Sequence, residues 1–285
     1  MPAINLQAKC PAPCTFRTRP RGVAGRPDRA QACAVGAFVA VGCFAGVLAR
    51  SDEHDQNPDN GTDPTRQSRS ITTSLEHLDL GGGISQNTFK AQYSTPITSD
   101  ARTAIRLTVP LVQNDVFGRE GYSLSDVGVK ISDVVKITRQ YGIVIAGEFT
   151  FDTANQIEGG TGKNVFKGTF TYAKFLQGGS IFAPSLNQSN SIWGDKDRPS
   201  VNNTVLDFYF VPKLKDPKTY ITVDPAINSN WETKAKFPSL AITIGRALGP
   251  AFGGHSQIYL KPETFAGGDR SANWGVEFGY KVIGF

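Results

Sequence analysis

From about residue 71 to residue 285 the chain is built of short stretches in which apolar and polar residues alternate. That is the repeat of a β-strand whose successive side chains face opposite sides. Ile105, Leu107, Val109 and Leu111 share one face, with Arg106 and Thr108 on the other; Phe166, Phe170 and Tyr172 oppose Lys167, Thr169 and Thr171. Leu206, Phe208 and Phe210 oppose Asp207 and Tyr209, and Ile258 and Leu260 oppose Tyr259, Lys261 and Glu263. The final stretch places Trp274, Val276, Phe278, Tyr280 and Val282 against Gly275, Glu277, Gly279 and Lys281. No helical period of useful length interrupts the series, so the class expected is all-β.

Strand-like runs begin near residues 86, 102, 122, 139, 163, 179, 203, 218, 237, 255 and 272, and Ile71 to Leu80 supplies one more. Each is about 9–11 residues long and many end in aromatics, the length of a tilted strand that crosses a bilayer. In a soluble β-sandwich the apolar face points into a shared core; in an outer-membrane barrel it meets lipid and the charged face lines the interior. The recurrence of charge at polar parity, together with the strand length, favours the barrel. The expectation is a transmembrane antiparallel up-and-down β-barrel over residues 71–285, of twelve strands, with ten as the fallback because single-chain bacterial barrels have an even count.

The front of the chain reads differently. Lys9, Arg17, Arg19, Arg21, Arg26 and Arg29 precede eighteen residues, Ala32 to Ala49, without a charge. This is the pattern of an export signal over residues 1–49, with Val47-Leu48-Ala49 offering small residues at the −3 and −1 positions of a cut before Arg50. Its removal takes six of the 30 basic residues and one of the 25 acidic residues, leaving 24 against 24. The formal charge of +5 therefore carries no argument for nucleic acid as a partner. All four cysteines, Cys10, Cys14, Cys33 and Cys43, leave with it. Residues 50–70 are rich in Asp, Asn, Ser, Thr and Arg and nearly without apolar side chains, the composition of a disordered leader.

Candidate chemistry is sparse. His255 and Ser256 are adjacent on a strand and so point to opposite faces, which prevents a base-activated nucleophile. Gly159-Gly-Thr-Gly-Lys163 lacks the first glycine and the final Ser/Thr of a phosphate loop and reads as a hairpin loop. No cluster has metal-ligand spacing, so neither enzyme activity nor a cofactor is expected. The interior carries the functional expectation instead. Arg106, Glu148, Lys167, Asp207, Asp224, Lys261, Glu263, Glu277 and Lys281 would line the lumen, either as a polar path or as structural ion pairs filling it. Tyr209 and Tyr259 share that face and could stack with an aromatic solute or simply pack.

Two resemblances follow. Asn273, Gly275, Phe278 and Tyr280 match the polar-x-Gly-x-x-aromatic-x-aromatic signal of outer-membrane proteins, and Phe285 is the aromatic at the C-terminus. The resemblance implies recognition by the barrel-assembly machinery. Over roughly residues 85–285 the chain also resembles the "MetA-pathway of phenol degradation" family of outer-membrane barrels. The carrying segments are Asp197-Arg-Pro-Ser-Val-Asn-Asn-Thr-Val-Leu206, Phe237-Pro-Ser-Leu-Ala-Ile242, Tyr259-Leu-Lys-Pro262 and Trp274-Gly-Val-Glu-Phe278. Ser123-Leu-Ser-Asp126 stands where the family usually has Gly-Leu-Gly-Asp. The resemblance implies a transporter in contact with outer-membrane lipid and a small-molecule solute, aromatic or phenolic. The expected function is passive passage of small solutes. The alternatives are a structural or adhesive barrel with a filled lumen, and a secreted or periplasmic soluble sandwich.

Overall fold

The computed structural model describes residues 59–115, 121–156 and 159–285. The export segment expected over residues 1–49 and the leader before residue 59 lie outside the described residues. The strands are β1 (Ser70–Gly81), β2 (Ile84–Pro96), β3 (Thr103–Asn114), β4 (Ser123–Leu124), β5 (Gly128–Ile137), β6 (Tyr141–Thr150) and β7 (Lys163–Phe175). They continue as β8 (Ile181–Gly194), β9 (Asn202–Val211), β10 (Thr219–Asn230), β11 (Ala235–Ala251), β12 (Gly254–Phe265) and β13 (Trp274–Ile283). Among the described residues no helix is long and apolar enough to cross a membrane; strands make the crossing.

Apart from the two-residue β4, each strand pairs antiparallel with the next along the chain, and β1 pairs with β13, so the sheet closes into a twelve-stranded barrel. The seam runs from Ser70 opposite Ile283, through Leu75 opposite Phe278, to Asp79 opposite Trp274. Closure removes the free edges that hydrocarbon could not solvate. β4 is not a separate wall: with β5 it shares the far side of β3, pairing at Leu111 and Val112, while β5 takes Thr103 to Thr108. The run expected near residue 122 is thus broken at Ser125–Val127, and the strand count remains twelve around the barrel.

The parity read from sequence has a clear physical sense. Leu75, Phe89, Leu107, Ile145, Phe170, Leu206, Ile244, Leu260 and Phe278 are exposed on the outside. Phe278 is 53% exposed, whereas its neighbour Glu277 is 7% exposed. An apolar outer band around a polar interior is the inverse of a water-soluble fold and fits lipid contact. Together with closure, it makes this a bacterial outer-membrane barrel and removes the soluble sandwich.

The connections differ at the two ends. At the end where β1 starts and β13 finishes they are residues 97–102, 138–140, 176–180, 212–218 and 252–253; the opposite end carries the longer 115–127 and 151–162. Of the opposite-end turns, Gly82-Gly83 between β1 and β2 is the tightest, with φ of +65° and +82°, the left-handed pair that a two-residue hairpin demands.

Candidate functional site

The inner wall is held by a polar network. Glu277 on β13 accepts from Lys261 on β12 and from the Tyr259 hydroxyl, both at 2.8 Å, and makes a longer ion pair with Lys90 on β2 at 3.8 Å. Lys90 also reaches Glu76 at 3.1 Å. Across the seam, four strands are therefore tied by one carboxylate-centred cluster. A second pair joins Lys167 on β7 to Glu148 on β6 at 2.5 Å, directly opposite each other in register. Asp207 on β9 accepts a hydrogen bond from Ser185 at 3.4 Å. Asp207 and Asp224 each keep one buried carboxylate oxygen without a protein donor.

All nine residues expected at the lumen lie on strands whose inner parity they share, but the structure sorts them into separate groups. Lys261 and Glu277 belong to the seam network, and Glu148 and Lys167 form their own pair. Arg106 and Lys281 border an internal cavity of about 260 Å³ that Asp224 also lines. Glu263 on β12 and Asp224 on β10 flank Ala241 of β11 at the same level of the inner wall, two strands apart.

Tyr209 and Tyr259 have partners within the chain. Tyr259 packs over Gly279, where a Cβ would lie 2.2 Å from the ring, and Tyr220 covers Gly245 in the same way at 2.0 Å. Each glycine leaves an inner-face gap that a neighbouring strand's aromatic ring fills. Tyr209 donates its hydroxyl to the Thr62 carbonyl at 3.0 Å.

That last bond reveals a feature the composition concealed. Residues 59–69, expected within a disordered leader, are folded inside the barrel as a strap. The Asn60 carbonyl accepts from Gln257 on β12 at 2.9 Å, the Thr62 carbonyl from Tyr209 on β9, and the Gln67 side chain from Ser132 on β5 at 3.0 Å. Three separated walls hold one short segment, so it runs across the bore. Thr62 and Thr65 are 8% and 6% exposed. The reason disorder does not follow from the composition is local. Asp59 accepts from Gly61 N at 2.8 Å, Asn60 from Thr62 N at 3.1 Å, and Asp63 from Thr65 N at 2.8 Å. Successive Asx turns satisfy the backbone without an apolar core, and the polar lumen accepts the remaining groups. Gly61 has φ +68° and sits so close to Lys281 that a Cβ would be 2.1 Å from its Nζ. The left-handed backbone favours glycine, and any larger side chain would displace the Lys281 ammonium.

The residues of the assembly-signal resemblance also have places in the fold. Asn273 Nδ2 donates to the Asp79 carboxylate at 2.7 Å, and its backbone N–H donates to the Asp79 carbonyl at 2.7 Å. The residue therefore clasps β13 to β1 where the barrel closes. Gly275 leaves room for Leu78, whose Cδ2 would be 2.5 Å from a Cβ there. Phe278 faces outward, and the Phe285 carbonyl accepts from Arg69 at 3.4 Å.

At the opposite end the described residues of the loop 151–162 are organised by Asp126 and Arg198. Asp126 is buried and accepts from Thr153 N at 3.3 Å, Ala154 N at 3.1 Å and Thr161 N at 2.8 Å. Arg198 donates to the carbonyls of Gly160 at 2.6 Å and Thr161 at 3.3 Å. Lys163 is buried and donates to the Asp195 carbonyl at 2.5 Å, so the glycine-rich stretch before it is a braced loop. Ser256 donates to the Gly249 carbonyl at 2.9 Å while its neighbour His255 is exposed, which separates the two side chains. Among the described residues no group of three His, Cys, Asp or Glu side chains is placed to hold a metal ion.

No family model matches the chain, and no curated protein matches it in sequence. Solved structures do match in fold. An outer membrane channel from Pseudomonas putida F1 superposes with a TM-score of 0.57 at 10% identity, covering 80% of this chain and 100% of that one. The NanC porin superposes with a TM-score of 0.54 at 8% identity, covering 76% of this chain and 100% of that one. The chain thus has the fold of a small outer-membrane channel barrel, with an internal strap across a charged lumen.

Proposed function

We propose that the protein is a passive outer-membrane channel for small polar solutes, with the lumen beside the strap as the path. The observation that carries this reading is the interior itself: cavities of about 200 and 260 Å³, lined by charged and hydroxyl side chains and by residues of the strap, remain within a closed barrel. A purely structural barrel would gain more from packing such volumes with side chains. The shared fold with a channel and a porin supports the same reading. The short connections beside the termini are the periplasmic kind, which puts the strap at the periplasmic mouth. Recognition of the Asn273 to Phe285 segment by the barrel-assembly machinery belongs to this proposal, as does the aromatic or phenolic cargo implied by the family resemblance. In favour of that cargo, Tyr209, Tyr220 and Tyr259 line the 260 Å³ cavity.

The second reading, a filled barrel without transport, is favoured by the strap's three wall contacts. Single-channel recording of the refolded protein in a planar bilayer separates the two. Discrete current steps of small size are expected; a barrel that inserts and shifts on heating in a detergent gel but never conducts removes the channel.

A further inference from the structure

Two inward cations of the barrel stand directly opposite each other: Arg106 on β3 and Lys130 on β5 are register partners. Like charges at such positions destabilise a sheet. With Lys281 of β13 they line one cavity of about 200 Å³, together with Ser94, Ser132, Thr169 and Thr171. Among the described residues none of the three cations has an ion-pair or hydrogen-bond partner. The nearby carboxylates are committed elsewhere. Glu148, opposite Lys130 in register, bonds Lys167. Asp63 pairs with Arg66 at 3.7 Å and accepts from Thr65, and Asp59 accepts from Gly61 and Ser68 within the strap. Three positive charges therefore share one cavity with hydroxyl groups and without a direct ion pair, while the carboxylates nearest them, Asp59 and Asp63 on the lining and Glu148 beside it, are bonded to other groups.

We propose that Arg106, Lys130 and Lys281 form an anion-binding site in the lumen, sized for a small carboxylate or phosphate group. The guanidinium offers a planar pair of donors, the two ammonium groups add point charges, and the serine and threonine hydroxyls complete the shell. The strap forms one side of this cavity, with Asp59, Gly61 and Asp63 along its lining, so an anion bound there touches both the wall and the segment that crosses the bore. The consequence for ion selectivity rests on the channel reading above; binding itself does not.

The test uses the refolded full-length protein and reads binding and conduction separately. In detergent micelles, 4-fluorobenzoate is followed by 19F line broadening and inorganic phosphate by 31P line broadening. In a planar bilayer, the reversal potential is measured across a KCl gradient. The variants are Arg106→Gln with Lys130→Gln and Lys281→Gln, Arg106→Lys alone, and Lys215→Gln as a control at an exposed cation outside the cavity lining. Binding of either anion, weakened at least about tenfold in the triple variant but retained in Arg106→Lys and Lys215→Gln, supports the site. Preference for chloride over potassium in the parent, lost in the triple variant, extends it to conduction. Phosphate binding alone points to a phosphate group, and fluorobenzoate binding alone to a carboxylate. Anion binding without any conductance keeps the site and removes the channel. Conductance without binding of either anion, or binding unchanged in the triple variant, overturns the site. Heat-modifiable migration of each variant confirms that the barrel has formed.

Discussion

Glu277→Ala tests the seam network most directly. The substitution strands Lys261, whose ammonium lies 2.8 Å from the carboxylate, and the Tyr259 hydroxyl, also at 2.8 Å. Lys90 is less affected because it keeps Glu76 at 3.1 Å. Removing one partner of a fully buried ion pair costs about 3–5 kcal/mol, and an unpaired buried hydroxyl adds about 1 kcal/mol or more. The Lys261 side chain is 28% exposed to the lumen, so water recovers part of that loss. The expected destabilisation is about 2–3 kcal/mol. Reversible urea unfolding in phospholipid vesicles, followed by tryptophan fluorescence, measures it. A double variant, Lys261→Met with Glu277→Met, removes both charges and is expected to lie within about 1 kcal/mol of the parent, because no charge is left stranded on that pair. A single variant that costs less than about 1 kcal/mol, or a double variant no better than the single one, would show that the lumen is too wet for this pair to count as buried.

Three further outcomes follow from other parts of the barrel. Phe278→Lys puts a charge on the lipid face and is expected to cost about 2–4 kcal/mol if it lies near mid-bilayer, with slower assembly read from heat-modifiable gel migration; unchanged insertion would reverse the assignment of inner and outer faces. Gly61→Val forces a β-branched side chain into a left-handed backbone and against Lys281, so the strap leaves its seat and single-channel conductance rises, while the barrel still migrates as folded. No change in current would separate the strap from the conduction path. Asp126→Ala removes the acceptor for three backbone N–H groups of the loop 151–162, and limited proteolysis should then cut that loop while leaving the strands intact.

The period-two alternation determined the strands and their facing, because a strand has only two sides and a one-residue error would put charge into lipid. It located twelve runs within a few residues of where the strands begin, and separated Phe278 from Glu277 and Leu206 from Asp207. The break within the run near residue 122 was not legible, because Asp126 turns inward to hold a loop that is distant in sequence. The nine inner charges were visible as a set. Their grouping was not: Glu277 meets Lys90 only because β13 closes against β1 and brings β2 alongside, and closure is a property of the whole sheet.

The strap is the clearest case of a decision left to tertiary structure. A segment such as Asp59-Asn-Gly-Thr-Asp-Pro-Thr65 has no apolar residues to bury, and for a soluble domain that composition argues for disorder. Inside a polar lumen the criterion changes, since hydrogen-bond donors on three walls replace an apolar core. Lys130, which the alternation did not single out, gained its importance in the same way, by standing opposite Arg106 once β3 and β5 paired. Sequence alone determined which residues face lipid and which face inward, because that depends on local period. The closed sheet decided which inward residues meet, which charges remain unpaired and what crosses the bore, because those depend on contacts between strands far apart in the chain.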